Sequence, residues 1–227
     1  MFHCLLCHQP AHATTDLCPA CFDELPWIAH ACRTCAEPLT DTREELCRRC
    51  QQDLPAVDHC LAPLAYRFPL DQLILAMKQQ PRPELVTSFT RWLTPPFSAQ
   101  PKPDLLLPVP LHSTKQRQRG FNQAGLLAQQ LGRALRIPVH HTLLEKPRMT
   151  DEQKTLSREQ RQRNLARAFK LDRVGLIQLQ PRPRHIVLVD DVVTTGATTS
   201  TLAALLKKSG VRRVDVWALA KTPLHTG

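Results

Sequence analysis

Eight cysteines fall into four Cys-x-x-Cys pairs within the first 50 residues: Cys4 and Cys7, Cys18 and Cys21, Cys32 and Cys35, Cys47 and Cys50. Each such turn aims two thiolates at one point, and two turns complete a tetrahedral four-sulfur zinc site. The pairs also repeat. Cys4 to Cys32 and Cys7 to Cys35 are 28 residues apart, while Cys18 to Cys47 and Cys21 to Cys50 are 29 apart, which predicts a duplicated unit of two successive zinc ribbons. The expected grouping is sequential, Cys4, Cys7, Cys18 and Cys21 on one zinc and Cys32, Cys35, Cys47 and Cys50 on the other. Interleaving of alternate pairs is the competing connectivity. Four thiolates per metal leave no open coordination position, so both sites are read as structural, each zinc replacing a hydrophobic core that about 25 residues cannot build.

Zinc knuckles often place glycine just after the second cysteine, but here those residues are His8, Phe22, Ala36 and Gln51, which predicts irregular ribbons. His3, His8 and His12 are read as surface residues, because eight thiolates already satisfy two metals. The ninth cysteine, Cys60, is read as a small buried hydrophobe. A disulfide framework would need export, and the Met1-Phe2-His3-Cys4 start has neither a basic nor an apolar leader region, so the expectation is a cytosolic chain with zinc. No stretch approaches the roughly 20 consecutive apolar residues of a membrane span, and no span is expected.

Charge divides the chain as the cysteines do. Residues 1–60 hold four Lys/Arg and nine Asp/Glu, a net −5, whereas residues 61–227 hold 26 against 11, a net +15. Two domains are therefore expected, at 1–60 and 61–227. In the second, Leu70 to Met77 reads as an amphipathic helix, Leu85 to Leu93 as another before the breaker Pro95-Pro96, and Asp104 to Val109 as a buried strand. Asn122 caps a predicted helix to about Arg136. Ile186 to Val189 is a buried strand ending in Asp190 and Asp191, Ala197 to Lys208 a helix, and Val214 to Ala220 the next strand, which together make a βαβ unit with a parallel sheet. Helix-start amides and the hydroxyls of Thr194, Thr195 and Thr198, with Gly196 permitting close backbone approach, form a donor-rich nest suited to a phosphate monoester. The adjacent carboxylates suit vicinal sugar hydroxyls, so the segment describes a ribose 5-phosphate site.

Val187-Leu-Val-Asp-Asp-Val-Val-Thr-Thr-Gly-Ala-Thr198 resembles the phosphoribosyl pyrophosphate (PRPP) motif of type I phosphoribosyltransferases. The remainder is similar to one branch, the ComF family of competence and DNA-utilisation proteins. Pro108-Val-Pro-Leu-His112 with Arg119-Gly-Phe-Asn-Gln123 resembles that family's pyrophosphate loop, and Thr150, Gln153, Leu156, Ser157, Arg161, Asn164 and Phe169 match a further pattern of it; Tyr66 and Leu73 to Lys78 match more loosely.

The resemblance implies an α/β fold, a type I phosphoribosyltransferase-like parallel sheet flanked by helices and preceded by a double zinc ribbon. It implies that Asp190 and Asp191 hold ribose, that Thr194, Thr195, Gly196, Ala197 and Thr198 hold the 5-phosphate, and that Lys115, Arg119 and Gly120 approach pyrophosphate. Arg161 would act from a hood at about 145–170, Lys78 is a weaker candidate cation, and magnesium would arrive chelated by PRPP. The expected function is a magnesium-dependent phosphoribosyltransferase-like protein of DNA uptake or competence with an unknown acceptor. The alternative is a non-catalytic competence factor that handles single-stranded DNA and uses PRPP as a regulatory ligand, with competence or DNA-processing proteins docking on the ribbons. Residues 111–170 carry thirteen Lys/Arg against four Asp/Glu, a field suited to either polyanion, but few aromatics for base stacking.

Overall fold

The duplication legible in the cysteine spacing is a duplication of structure. In this computed structural model, which describes residues 3–80, 82–112, 114, 117, 120–147 and 168–224, each ribbon begins with a knuckle closed by a single bridge, His3 to Pro10 and Ala31 to Pro38. Within the knuckles the Cys4 amide donates to Gln9 and the Cys32 amide to Glu37, at 2.8 and 2.7 Å. A short helix then carries the second pair of thiols, α1 (Pro19–Asp23) in the first ribbon and α2 (Arg48–Gln52) in the second. The ribbons are not irregular. His8 and Ala36 adopt the left-handed turn that glycine would favour, with φ of 62° and 58°. Phe22 and Gln51 lie within α1 and α2, where glycine has no advantage.

The rest of the chain runs β1 (His59–Leu61), β2 (Leu64–Ala65), α3 (Leu70–Gln79), α4 (Pro83–Ser98), β3 (Leu105–Pro108), α5 (Gln123–Leu135), β4 (Leu144–Glu145), β5 (Lys170–Leu171), α6 (Arg173–Gln178), β6 (His185–Val193), α7 (Ala197–Lys208) and β7 (Arg213–Lys221). The sheet has the order β1-β7-β6-β3, with β2 also on β7, and all of its pairings are parallel. A separate antiparallel pair joins β4 and β5. Side chains alternate across the sheet as a two-residue period requires. Val187, Val189, Trp217 and Leu219 face α3, α4 and α5, while Ile186, Leu188, Val214, Val216 and Ala218 face the apolar side of α7. Parallel strands buried on both faces explain why β6 and β7 read as nearly continuous apolar runs.

Pro95 and Pro96 do not end α4 as expected; the helix continues to Ser98. Phe97 favours the extension. It is fully buried and stacks on Trp217, with ring centroids 4.7 Å apart. Burying such a ring stabilises by about 2–3 kcal/mol, which offsets part of the ~3 kcal/mol that each of the two prolines costs inside a helix. Strand β6 likewise runs past the apolar tetrapeptide and through both aspartates to Val193.

The ribbons dock on different parts of this framework. Cys4, Leu17 and Leu25 of the first join the core of α3, α4 and α5, and Trp92 donates its indole N–H to Thr15 while Arg91 pairs with Asp16. Ala36 of the second ribbon and Val57 beyond it join the opposite core, beside α7.

Candidate functional site

The two cysteine tetrads form as the sequential grouping requires. The sulfurs of Cys4, Cys7, Cys18 and Cys21 lie within 4.8 Å of one another, and so do those of Cys32, Cys35, Cys47 and Cys50. Four soft sulfur donors converging in this way fit a tetrahedral structural zinc. In the second tetrad all four cysteines are buried. One thiol in each tetrad is disposed to ionise. Cys32 is pulled down to about 3, first by its hydrogen bond with Cys35. Burial pushes Cys4 up, but the backbone amides of Cys7, Cys18 and Leu6 outweigh it and bring the thiol to about 6. Cys60 is different: it lies in β1 opposite Val216, and burial pushes its thiol up to about 12, which makes it an inert core residue.

The carboxyl end of β3 lies beside the middle of β6, with Pro108 paired to Val189 and the Val109 amide donating to the Val189 carbonyl, and β6 runs four residues further in the same direction. The two loops singled out by sequence therefore leave the sheet at one edge, the place where open parallel sheets bind ligands. From β3 the chain passes through His112, whose Nδ1 accepts from the Thr114 amide, to Gly120 at φ 77°. Asn122 anchors the loop's return. Its Oδ1 accepts from the Ala124 amide as the N-cap of α5, and its Nδ2 donates to the Val109 carbonyl. Lys115, Arg119 and Arg161, together with Thr150, Gln153, Leu156, Ser157, Asn164 and most of the expected hood, lie outside the described residues.

Asp190 and Asp191 occupy adjacent positions near the end of β6, and the Asp191 amide donates to Asp190 Oδ1 at 2.9 Å. Burial, followed by the neighbouring Asp191 charge, holds the Asp190 carboxyl well above the usual carboxylate range. Asp191 has its own cation: Lys78 Nζ, on α3, lies 2.7 Å from Asp191 Oδ2 and over the Tyr66 ring. Lys78 was the weaker candidate by sequence, and the structure brings it into the site.

The turn after β6 presents Thr194 and Thr195 to solvent, with Gly196 at φ 76° as the N-cap residue of α7. A Cβ there would meet nothing closer than 3.8 Å, so backbone conformation rather than crowding selects glycine. Ala197 and Thr198 follow in the first turn, whose amides have no intrahelical acceptor; the Ala197 amide donates to Thr195 Oγ1 at 3.4 Å. Thr199 is buried and gives its hydroxyl to the Gly196 carbonyl, which fixes the turn from inside. A cavity of about 590 Å³ lies between this turn and the second ribbon, with Thr34, Arg49, Leu54, Thr195, Gly196 and Ser200 in its lining. The Ala56 amide donates to Ser200 Oγ and ties the ribbon's exit to α7.

Two residues of this edge are not evident from the sequence reading. Lys221, the last residue of β7, is fully buried and donates to the Thr194 carbonyl at 2.9 Å, while Glu37 of the second ribbon lies 2.8 Å from the same ammonium. The available signal is a lysine closing the apolar run Val216–Ala220 of β7.

Known proteins resemble the amino-terminal ribbons and the chain as a whole. Residues 2–60 match the family described as double zinc ribbon domain. The whole chain is 34% identical to a protein named DNA utilization protein YhgH from Shigella flexneri, over 96% of each chain. It is 32% identical to Competence protein F of Haemophilus influenzae, over 97% of each, and 29% identical to Competence protein ComFC of Bacillus subtilis, over 92% of this chain and 79% of that one. With relatives of this similarity along nearly its whole length, a double zinc ribbon at its start and a parallel sheet behind it, the chain belongs to the ComF family.

Proposed function

We propose that this protein binds PRPP at the carboxyl edge of β3 and β6 and acts in the handling of imported DNA. One observation carries the reading: two adjacent carboxylates at the end of a buried parallel strand lead directly into a turn that offers hydroxyls and helix-start amides. In this reading Thr194, Thr195, Gly196, Ala197 and Thr198 hold the 5-phosphate, Asp190 and Asp191 accept from the ribose hydroxyls, and Gly120 lets the facing loop approach pyrophosphate. Lys115, Arg119 and Arg161 supply cations to the leaving group.

Phosphoribosyl transfer breaks the bond between ribose C1 and the pyrophosphate oxygen and forms one from C1 to an acceptor nucleophile, whose proton passes to a base. Positive charge builds on the sugar and negative charge on pyrophosphate, so the residues act by positioning and electrostatics. Asp191 is already engaged by Lys78 and burial disfavours charge on Asp190, a donor pair ill suited to an all-protein magnesium cage. That fits magnesium arriving with the phosphates, where it would neutralise the leaving charge.

The relatives' names, which speak of DNA utilisation and competence, support a place in DNA uptake or use, and the ribbons' outward faces are where DNA-processing partners would dock. The +15 charge of residues 61–227 supports a second reading, a cytoplasmic factor that holds single-stranded DNA and takes PRPP as a regulator. Calorimetry separates them. PRPP with magnesium is expected to bind the wild type and not the variant carrying Asp190→Asn and Asp191→Asn. Absence of binding to the wild type would overturn the PRPP reading. Single-strand affinity that falls steeply across a salt series would support the second.

A further inference from the structure

Lys221 is the only lysine in the fully buried core of the described residues, and its surroundings connect the metal module to the phosphate turn. Its ammonium donates to the Thr194 and Thr222 carbonyls and forms an ion pair with Glu37 Oε2, 2.8 Å away. Glu37 is itself buried, and its other oxygen accepts from the Leu224 amide at 2.8 Å. The position of Glu37 is set by the knuckle of the second ribbon. Its carbonyl accepts from the Cys32 amide at 2.7 Å, and the preceding Ala36 holds the left-handed turn and donates to the Cys32 carbonyl.

The other end of this connection is equally fixed. Val193 pairs with Lys221 in the sheet, and the Thr222 amide donates to the Val193 carbonyl. The backbone thus becomes free to turn at Thr194, and the buried ammonium grips the carbonyl there. A carbonyl held inward fixes the peptide plane that presents the next amide, so one hydrogen bond sets the direction from which Thr195 and Gly196 enter the turn.

We infer that Lys221 is a positioning residue for the phosphate turn and that Glu37 places it, so that the folded second ribbon, through its carboxylate, sets the geometry of the site. This rests on the reading of residues 194–198 as a phosphate turn. It assigns the second ribbon, but not the first, a role in ligand binding: the first ribbon docks on α4 through Asp16 and Thr15. An ion pair kept in a dry core is costly unless fully compensated, and here the compensation includes a backbone group of the turn.

The test compares wild type, Glu37→Gln, and the double variant Glu37→Leu with Lys221→Met. Three quantities are measured on each: zinc content, amide exchange at Ser200, whose N–H is held by the Gly196 carbonyl, and PRPP affinity with magnesium. Glu37→Gln keeps the side-chain shape and is expected to retain two zinc ions. Its Ser200 amide should exchange about tenfold faster and its PRPP affinity should fall about tenfold, the scale of a typical coupling between sites. The double variant removes both charges and should recover thermal stability without recovering protection at Ser200. Recovery of both would mean that the pair is merely structural and would overturn the inference, as would unchanged exchange in a zinc-replete Glu37→Gln protein. Failure of the wild type to bind PRPP would count against the ligand assignment, while the exchange comparison would still decide the role of Lys221.

Discussion

Asp190 meets two opposed demands, because a carboxyl proposed to hold ribose hydroxyls sits where burial and Asp191 disfavour its charge. Its folded-state value is raised, so the stability it supports is complete in acid, below about pH 4 where the unfolded chain would still hold the proton, and is lost as pH rises through the folded value. Asp190→Asn is therefore expected to raise the melting midpoint more at neutral pH than near pH 4, while abolishing PRPP binding. A midpoint shift independent of pH would refute this. His8 carries a smaller strain. It is exposed at φ 62°, so His8→Gly should stabilise by about 0.5–1 kcal/mol, read by chemical denaturation; Ala36→Gly should gain less because a buried methyl is lost. At this scale the sequence displayed Asp190, Asp191 and the threonines directly, because they are contiguous on a strand end and turn. Glu37 and Lys221 stayed hidden because their relation is made by tertiary packing across most of the chain.

Elements were legible where periodicity and caps agreed. The helix predicted from Asn122 forms as α5, since cap and apolar spacing point the same way. Asn122→Ala should cost about 1–2 kcal/mol, and it should weaken PRPP binding as well, because the same side chain ties Val109 to the loop's return; denaturation and calorimetry measure the two effects separately. The end of α4 was not legible, because the burial of Phe97 on Trp217 is a tertiary contact that works against the local preference of two prolines. At the amino ends of β6 and β7, far from the site, burial would raise Asp215, but hydrogen bonds from His185 and Arg213 outweigh it and hold the carboxyl below its usual range. The stability from that depression is present above the ordinary carboxylate value and is lost as pH falls through the folded one. Asp215→Asn should therefore flatten the acid limb of a stability profile.

Across the whole molecule, the zinc ribbons are not appendages. The first contributes Cys4, Leu17 and Leu25 to the main core and the second contributes Ala36 to the other. Structural zinc contributes on the order of 10 kcal/mol to the folding of such modules, so metal analysis should find two zinc ions per chain, and chelation should lower the melting midpoint of the sheet as well as unfold the ribbons. A sheet transition indifferent to chelation would contradict that coupling. Among the described residues no helix is long and apolar enough to cross a membrane. The acidic residues 1–60 and the basic residues 61–227 meet within the sheet, since β1 begins at His59, and the sequence carried no signal for which ribbon faces the proposed ligand edge. That depends on docking, to which Ala36, Val57, the Ala56–Ser200 hydrogen bond and the Glu37–Lys221 ion pair contribute. The most direct test of the central claim is a crystal structure of the zinc-loaded protein with PRPP and magnesium. The 5-phosphate should lie on residues 194–198 and the ribose hydroxyls on Asp190 and Asp191; PRPP seated elsewhere, with that turn empty, would contradict the account.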